Sequence, residues 1–101
     1  MEIDVLTLKS RLDAGEDLLL IDVREPYELE EFSLDAVNIP LATIPVRMYD
    51  FDDDLDREIV VFCRSGVRSA AAQAMLKQAG FTSVLNLSGG VLAWMEQLGS
   101  R

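Results

Sequence analysis

The chain has 101 residues, half of them apolar and 27% charged, with a formal net charge of −9 and no histidine. That length suits one domain, residues 1–101, with a single core that needs neither disulfides nor metal. The acidity argues against nucleic acid or anionic membrane as partners, and the missing imidazoles exclude Cys–His nucleophilic pairs and His-based metal sites.

In chain order, Met1-Glu2-Ile3-Asp4 lacks a basic leader, and no apolar run approaches the length of a membrane span, so a cytoplasmic location is expected. Asp4 is placed to cap a first helix carrying Val5, Leu6, Leu8 and Leu12, closed by Gly15. Leu18 to Ile21 is a continuous apolar run ending at Asp22, the pattern of a strand covered on both faces. Pro26 suits the first position of a helix through Glu31, and the acids that follow it suit the helix dipole. Ala36-Val37-Asn38-Ile39 reads as a shorter strand stopped by Pro40, and Leu41 to Tyr49 as a short irregular helix. Asp50-Phe51-Asp52-Asp53-Asp54 reads as a solvated surface turn; it lacks the glycine and distal glutamate of a calcium-binding EF-hand loop.

Glu58 to Phe62 is apolar, β-branched and of strand length, and it stops at Cys63, the only cysteine. A lone cysteine allows no internal disulfide, which suits a reducing compartment. After the turn, Val67, Ala70, Ala71, Ala74 and Met75 recur at helical spacing up to Gly80. Ser83 to Leu87 is the last strand, Gly89-Gly90 turns the chain, and Val91 to Leu98 forms a closing helix with Trp94 on its buried side. Strands alternating with helices predict a parallel sheet with helices on both faces. Ligands in such sheets sit beyond the carboxyl ends of the strands, where Cys63, Asp22 and Arg24 stand.

A lone cysteine after an apolar strand is most often a small buried hydrophobe. Here it opens a loop flanked by Arg64 and Arg68, with a helix start immediately behind. Backbone N–H groups and the helix dipole converge on such a loop, and with the arginines they favour thiolate, the nucleophilic form of sulfur, which is expected to stand accessible at the sheet edge. Gly66 supplies the positive φ or close approach that a loop folded round an anion needs. Ser65 and Ser69 can each donate to the sulfur or cap the helix, and Ser69 reads as structural. Arg68 falls on the first helical turn, where it opposes the dipole and needs a bound anion or a carboxylate such as Asp22. Arg64 projects from the loop, serving either substrate or solubility.

These segments resemble, in order, the motifs of the rhodanese-like sulfurtransferases. Ile21-Asp22-Val23-Arg24-Glu25-Pro26 resembles the first, and Asn38-Ile39-Pro40 the end of the second. Cys63-Arg64-Ser65-Gly66-Val67-Arg68-Ser69 resembles the active-site loop, and Leu87-Ser88-Gly89-Gly90-Val91-Leu92-Ala93-Trp94 the closing motif. The resemblance runs from about Asp4 to Leu98 and implies a single rhodanese-like domain, a three-layer α/β/α fold around a central, mostly parallel sheet of about five strands. In one departure, members often carry Gly-His-Ile-Pro-Gly-Ala where this chain has Glu31-Phe32-Ser33-Leu34-Asp35-Ala36. A rearranged local turn with the chemistry retained is the expectation there.

The resemblance implies a sulfurtransferase that carries sulfane sulfur as a persulfide on a catalytic Cys63, with no metal or organic cofactor. Donors would be thiosulfate or a persulfide-carrying protein, and acceptors a thiol or cyanide. Arg64, Ser65, Gly66, Val67 and Arg68 would form the anion- and substrate-binding loop, supported by Asp22, Arg24 and Ser69. Arg68 and Asp22 would brace that loop, and Arg24 would pair with Glu25 near the rim of the site. Two alternatives stand beside this reading. One is a non-catalytic interaction module on the same fold. The other is a cysteine phosphatase or arsenate reductase, disfavoured because phosphatase loops typically place the arginine six positions after the cysteine and Arg68 is five after Cys63.

Overall fold

Five short strands, β1 (Glu2–Ile3), β2 (Leu19–Asp22), β3 (Val37–Asn38), β4 (Ile59–Phe62) and β5 (Val84–Leu87), run parallel in the order β1-β5-β4-β2-β3. They are seen in the computed structural model, which describes residues 1–99. The most apolar strand, β4, is the central one, with all four residues buried, as a strand covered on both faces requires. Its alternation sorts the core into two layers. Ile59, Val61 and Cys63 point one way, with Leu19, Ile21, Val23 and Val84, towards α2 (Ile44–Arg47) and α3 (Val67–Gln78). Val60 and Phe62 point the other way, with Leu85 and Leu87, towards α1 (Val5–Asp13) and α4 (Gly90–Leu98), where Trp94 is buried.

Most of the expected elements are present, with four differences. The pair of residues in β1 is too short to carry a periodic signal; it is held at the sheet margin by Asn86 N–H donating to Met1 O at 3.2 Å and Ser88 N–H donating to Ile3 O at 2.8 Å. The helix beginning at Pro26 is a 3-10 turn, Pro26–Glu30. The stretch after Pro40 is a relay of a 3-10 turn (Leu41–Thr43), α2 and further 3-10 turns over Met48–Asp54. The aspartates around Phe51 therefore lie on helical turns, not on a plain surface turn, because Met48 and Phe51 pack against the core and pull the backbone down.

The fourth difference lies in α3. Its expected apolar face is largely in solvent: Val67 is 75% exposed, and Ala70, Ala71 and Ala74 are exposed too. The inward face is Ser69, Ala72 and Leu76. An alanine-rich helix has little contrast between its faces, so packing decides its rotation, and here Ser69 is drawn in by polar partners beneath it.

The start of α4 is docked on the chain just after β4. The first free amides of this helix do not face solvent: Val91 N–H donates to Cys63 O at 2.9 Å and Leu92 N–H to Arg64 O at 3.0 Å. Gly90 makes this approach possible. A Cβ there would lie 2.4 Å from Cys63 O and 2.6 Å from Arg64 O, and its φ is +57°. Gly90→Ala is expected to lower unfolding stability by at least about 2 kcal/mol, from left-handed strain and the backbone clash together. Urea denaturation checks this, and a loss below about 0.5 kcal/mol would contradict it.

Candidate functional site

Cys63 follows the last residue of β4, and the chain then folds round its sulfur. Gly66 has φ +105°, a conformation that turns the loop back on itself at little cost only for glycine. The amides so turned reach the sulfur: Gly66 N–H donates to Cys63 Sγ at 3.1 Å and Ser69 N–H at 3.4 Å. The hydroxyl of Ser69 lies 3.4 Å from Sγ as well. Burial pushes the Cys63 thiol up, but hydrogen bonding from the Ser69 hydroxyl and the Ser69, Gly66 and Ser65 amides outweighs it, and the net direction is down. The dominant stabilisers are hydrogen-bond donors rather than the arginine charges that the sequence suggests.

Cys63 itself is only 1% exposed, so its sulfur does not stand open at the sheet edge as expected. The loop that supplies the amides also covers the atom they serve.

Ser69 is tied from behind by a residue that the sequence reading passed over. Its hydroxyl has one proton to share between Cys63 Sγ and Asn86 Oδ1, the latter at 2.6 Å, and Asn86 Nδ2 donates to Gly66 O at 3.1 Å. Asn86 is buried on β5, where parity puts it on the same face as Val84 and hence beside Cys63. A signal was there to read: it is the one polar residue inside the apolar run Val84-Leu85-Asn86-Leu87.

Arg68 does not meet Asp22. It makes a two-pronged ion pair with Glu28, at 2.7 and 3.0 Å. Hydrogen bonding from Arg68 holds the Glu28 carboxyl down at about 2, against the opposing effect of burial. Arg68 is raised, above all by Glu28, with burial opposing and the charge on Cys63 adding a smaller part. Asp22 instead receives Arg24, which does not pair with Glu25 and does not stand at the rim. Arg24 is 1% exposed, its guanidinium donates to both Asp22 oxygens at 2.8 to 3.1 Å, and it reaches Phe32 O at 2.7 Å and Glu28 O at 3.3 Å. The short spacing between Asp22 and Arg24, with the backbone N–H of Arg24 also donating to Asp22 Oδ1 at 2.9 Å, favours this local pair over the distant one.

The remaining loop residues face outward. Arg64 is exposed and paired with Glu31 at 2.7 Å, and the side chains of Ser65 and Val67 are exposed. A surface cleft of about 330 Å³ lies elsewhere, between Pro45, Met48, Tyr49, Met75, Gln78 and Ala79, and it contains none of the loop residues. Among the described residues no cluster of three or more His, Cys, Asp or Glu side chains is placed to hold a metal ion, and no helix is long and apolar enough to cross a membrane.

The Glu28–Arg68 pair sets an acid limit. A carboxyl whose folded pKa lies below its ordinary value contributes fully above that value, and the contribution is lost as pH falls through the folded one. The stability gap between wild type and Glu28→Gln is therefore expected to narrow as pH falls from about 4.5 to about 2. Urea titrations across that range measure it, and a gap independent of pH would refute the assignment.

Comparison with known proteins agrees with the geometry. The model of the rhodanese-like domain family matches residues 4–97. A sulfurtransferase of Allochromatium vinosum is 46% identical over 94 residues, covering 92% of this chain and 86% of that protein. A probable adenylyltransferase/sulfurtransferase of Mycobacterium tuberculosis is 38% identical over 96 residues; the match takes in 90% of this chain but only 24% of that longer protein. Among solved structures, a rhodanese-related protein from Thermoplasma volcanium superposes with a TM-score of 0.84 at 31% identity, covering 96% of this chain and 92% of the other. With the motifs in order, the sheet topology and the cysteine loop all in agreement, the chain belongs to the rhodanese-like domain family.

Proposed function

We propose that this chain is a sulfurtransferase that carries sulfane sulfur on Cys63 as a persulfide. The observation that carries the reading is the pair of backbone amides donating to one sulfur, at 3.1 and 3.4 Å, with the Ser69 hydroxyl beside them at 3.4 Å, at the head of α3. Such preorganised dipoles favour negative charge on sulfur without reorganisation during reaction. In the first half-reaction the Cys63 thiolate attacks the outer sulfur of a donor. A new S–S bond forms, the donor's bond to that sulfur breaks, and the donor remnant leaves with the electron pair. In the second, an acceptor thiolate or cyanide attacks the outer sulfur and the Cys63 thiolate leaves. Neither step needs a metal or an organic cofactor.

The sulfurtransferase names of relatives support the transfer class, and the donor, either thiosulfate or a protein persulfide, belongs to this proposal. Asn86 and Ser69 are positioning residues in it: they hold the Gly66 carbonyl and the Ser69 hydroxyl so that the neighbouring amides face the sulfur. Loop length speaks against phosphatase or arsenate reductase chemistry, since Arg68 follows Cys63 by five positions. Burial of Cys63 favours the second reading, a non-catalytic recognition module, and one experiment separates the two.

Wild-type protein treated with thiosulfate or with a persulfide donor is expected to gain the mass of one sulfur, and to release it to cyanide. Cys63→Ser is expected to do neither while keeping its fold. Failure of the wild type to gain sulfur from either donor would leave the recognition module. Because Cys63 is the only thiol, its titration can also be followed directly by thiolate ultraviolet absorbance against the serine variant. The midpoint is expected below the ordinary cysteine value of about 8.5, and Ser69→Ala is expected to raise it. Coincident midpoints in wild type and Ser69→Ala would remove the hydroxyl from the account.

A further inference from the structure

Both guanidinium groups of the Cys63 loop already have carboxylate partners, and both carboxylates come from one short segment. Glu28 pairs with Arg68 through two contacts, and Glu31 pairs with Arg64 at 2.7 Å. Four groups of alternating sign therefore sum to zero at the mouth of the loop, on a chain whose net charge is −9. What still attracts an anion is the set of amide and hydroxyl dipoles on the sulfur, which act at short range on one atom. Such a site suits a donor with charge on a single sulfur and disfavours one that brings two full charges.

We propose that Glu31, backed by Glu28, is a specificity-determining residue that selects against doubly charged sulfur donors such as thiosulfate, in favour of donors bearing at most one negative charge, the class that includes a persulfide on a thiol or a peptide cysteine. This rests on the sulfur-transfer reading above. Glu31 opens the segment Glu31-Phe32-Ser33-Leu34-Asp35-Ala36. The segment is fixed well enough to present it: Phe32 and Leu34 are buried in the core beside Trp94, and Arg24 holds Phe32 O at 2.7 Å. Glu31 and Arg64 side chains are about half exposed, at 50% and 47%, so their pair adds little to stability. Its weight falls on encounter with charged donors.

The magnitude follows from Coulomb's law. A unit negative charge about 8 Å from the reacting centre in water slows a dianion about fivefold and a monoanion about twofold. Added salt shrinks both effects. The test compares two donors that react alike. With thiosulfate, Cys63 thiolate takes the outer sulfur and sulfite leaves with the electron pair. With an alkyl thiosulfonate, a monoanion, the same bond forms and a sulfinate leaves. Loading of Cys63 is followed by intact mass for wild type, Glu31→Gln and Glu30→Gln, the last an equal change in net charge on an exposed neighbour.

Glu31→Gln is expected to speed thiosulfate loading about fivefold and thiosulfonate loading about twofold at low salt, with the gap closing as salt is added. Glu30→Gln is expected to shift the ratio between donors less than Glu31→Gln does. An unchanged ratio in Glu31→Gln, or an equal shift in Glu30→Gln, overturns the role of Glu31. Wild-type protein that loads from neither of these donors nor from a persulfide donor overturns the sulfur-transfer reading itself, an outcome distinct from the other two.

Discussion

The geometry of the site depends on two hydrogen bonds that involve no functional side chain, those from the first amides of α4 to the carbonyls of Cys63 and Arg64. A peptide chain leaving a central strand has to place its carbonyls somewhere, and a buried carbonyl without a partner is costly. Here the N-terminal end of a neighbouring helix takes them, satisfying its own free amides in the same contact. With those carbonyls held on the α4 side, the loop is left to present amides to the sulfur. The closing motif is thus a clamp on the reactive loop, and Gly90 lets two backbones meet at a distance no Cβ would permit.

A second line of support runs from the buried Asp22–Arg24 pair. Ionised groups in the interior are tolerated when their hydrogen-bonding capacity is filled, and Arg24 has donors engaged by both Asp22 oxygens and by the carbonyls of Glu28 and Phe32. Asn38 adds to the same corner, with its Nδ2 donating to Asp22 O and Arg24 O at 2.9 Å each. This buried set fixes the 3-10 turn and the residues after it, and that segment delivers Glu28 and Glu31 to the loop arginines. Position at the strand end and charge at the loop mouth are therefore mechanically connected, although Asp22 touches neither loop arginine in the way expected.

The central strand, the loop, the helix behind it and the closing motif were all legible, because each rests on a local signal: a β-branched run, a glycine before a helix, a pair of glycines before Trp94. Partners were not. Nothing in one-dimensional spacing distinguishes Glu28 from Asp22 as the mate of Arg68, since both are carboxylates brought near by tertiary folding. Exposure of the sulfur was likewise misjudged, because motif order says nothing of how closely a loop wraps the atom it serves. Asn86 lay within reach of parity arguments, but its role appears only when β5 is set next to β4 in register, with Val61 opposite Asn86. The rotation of α3 was hidden by its alanines.

The margins of the sheet have a consequence for how the molecule behaves among its own copies. Both outermost strands are two residues long, and one of them, β3, is followed directly by Ile39 and a proline that cannot donate. A sheet bounded in this way offers almost no ladder on which a neighbouring chain could add itself, and the surplus of negative charge keeps such neighbours apart.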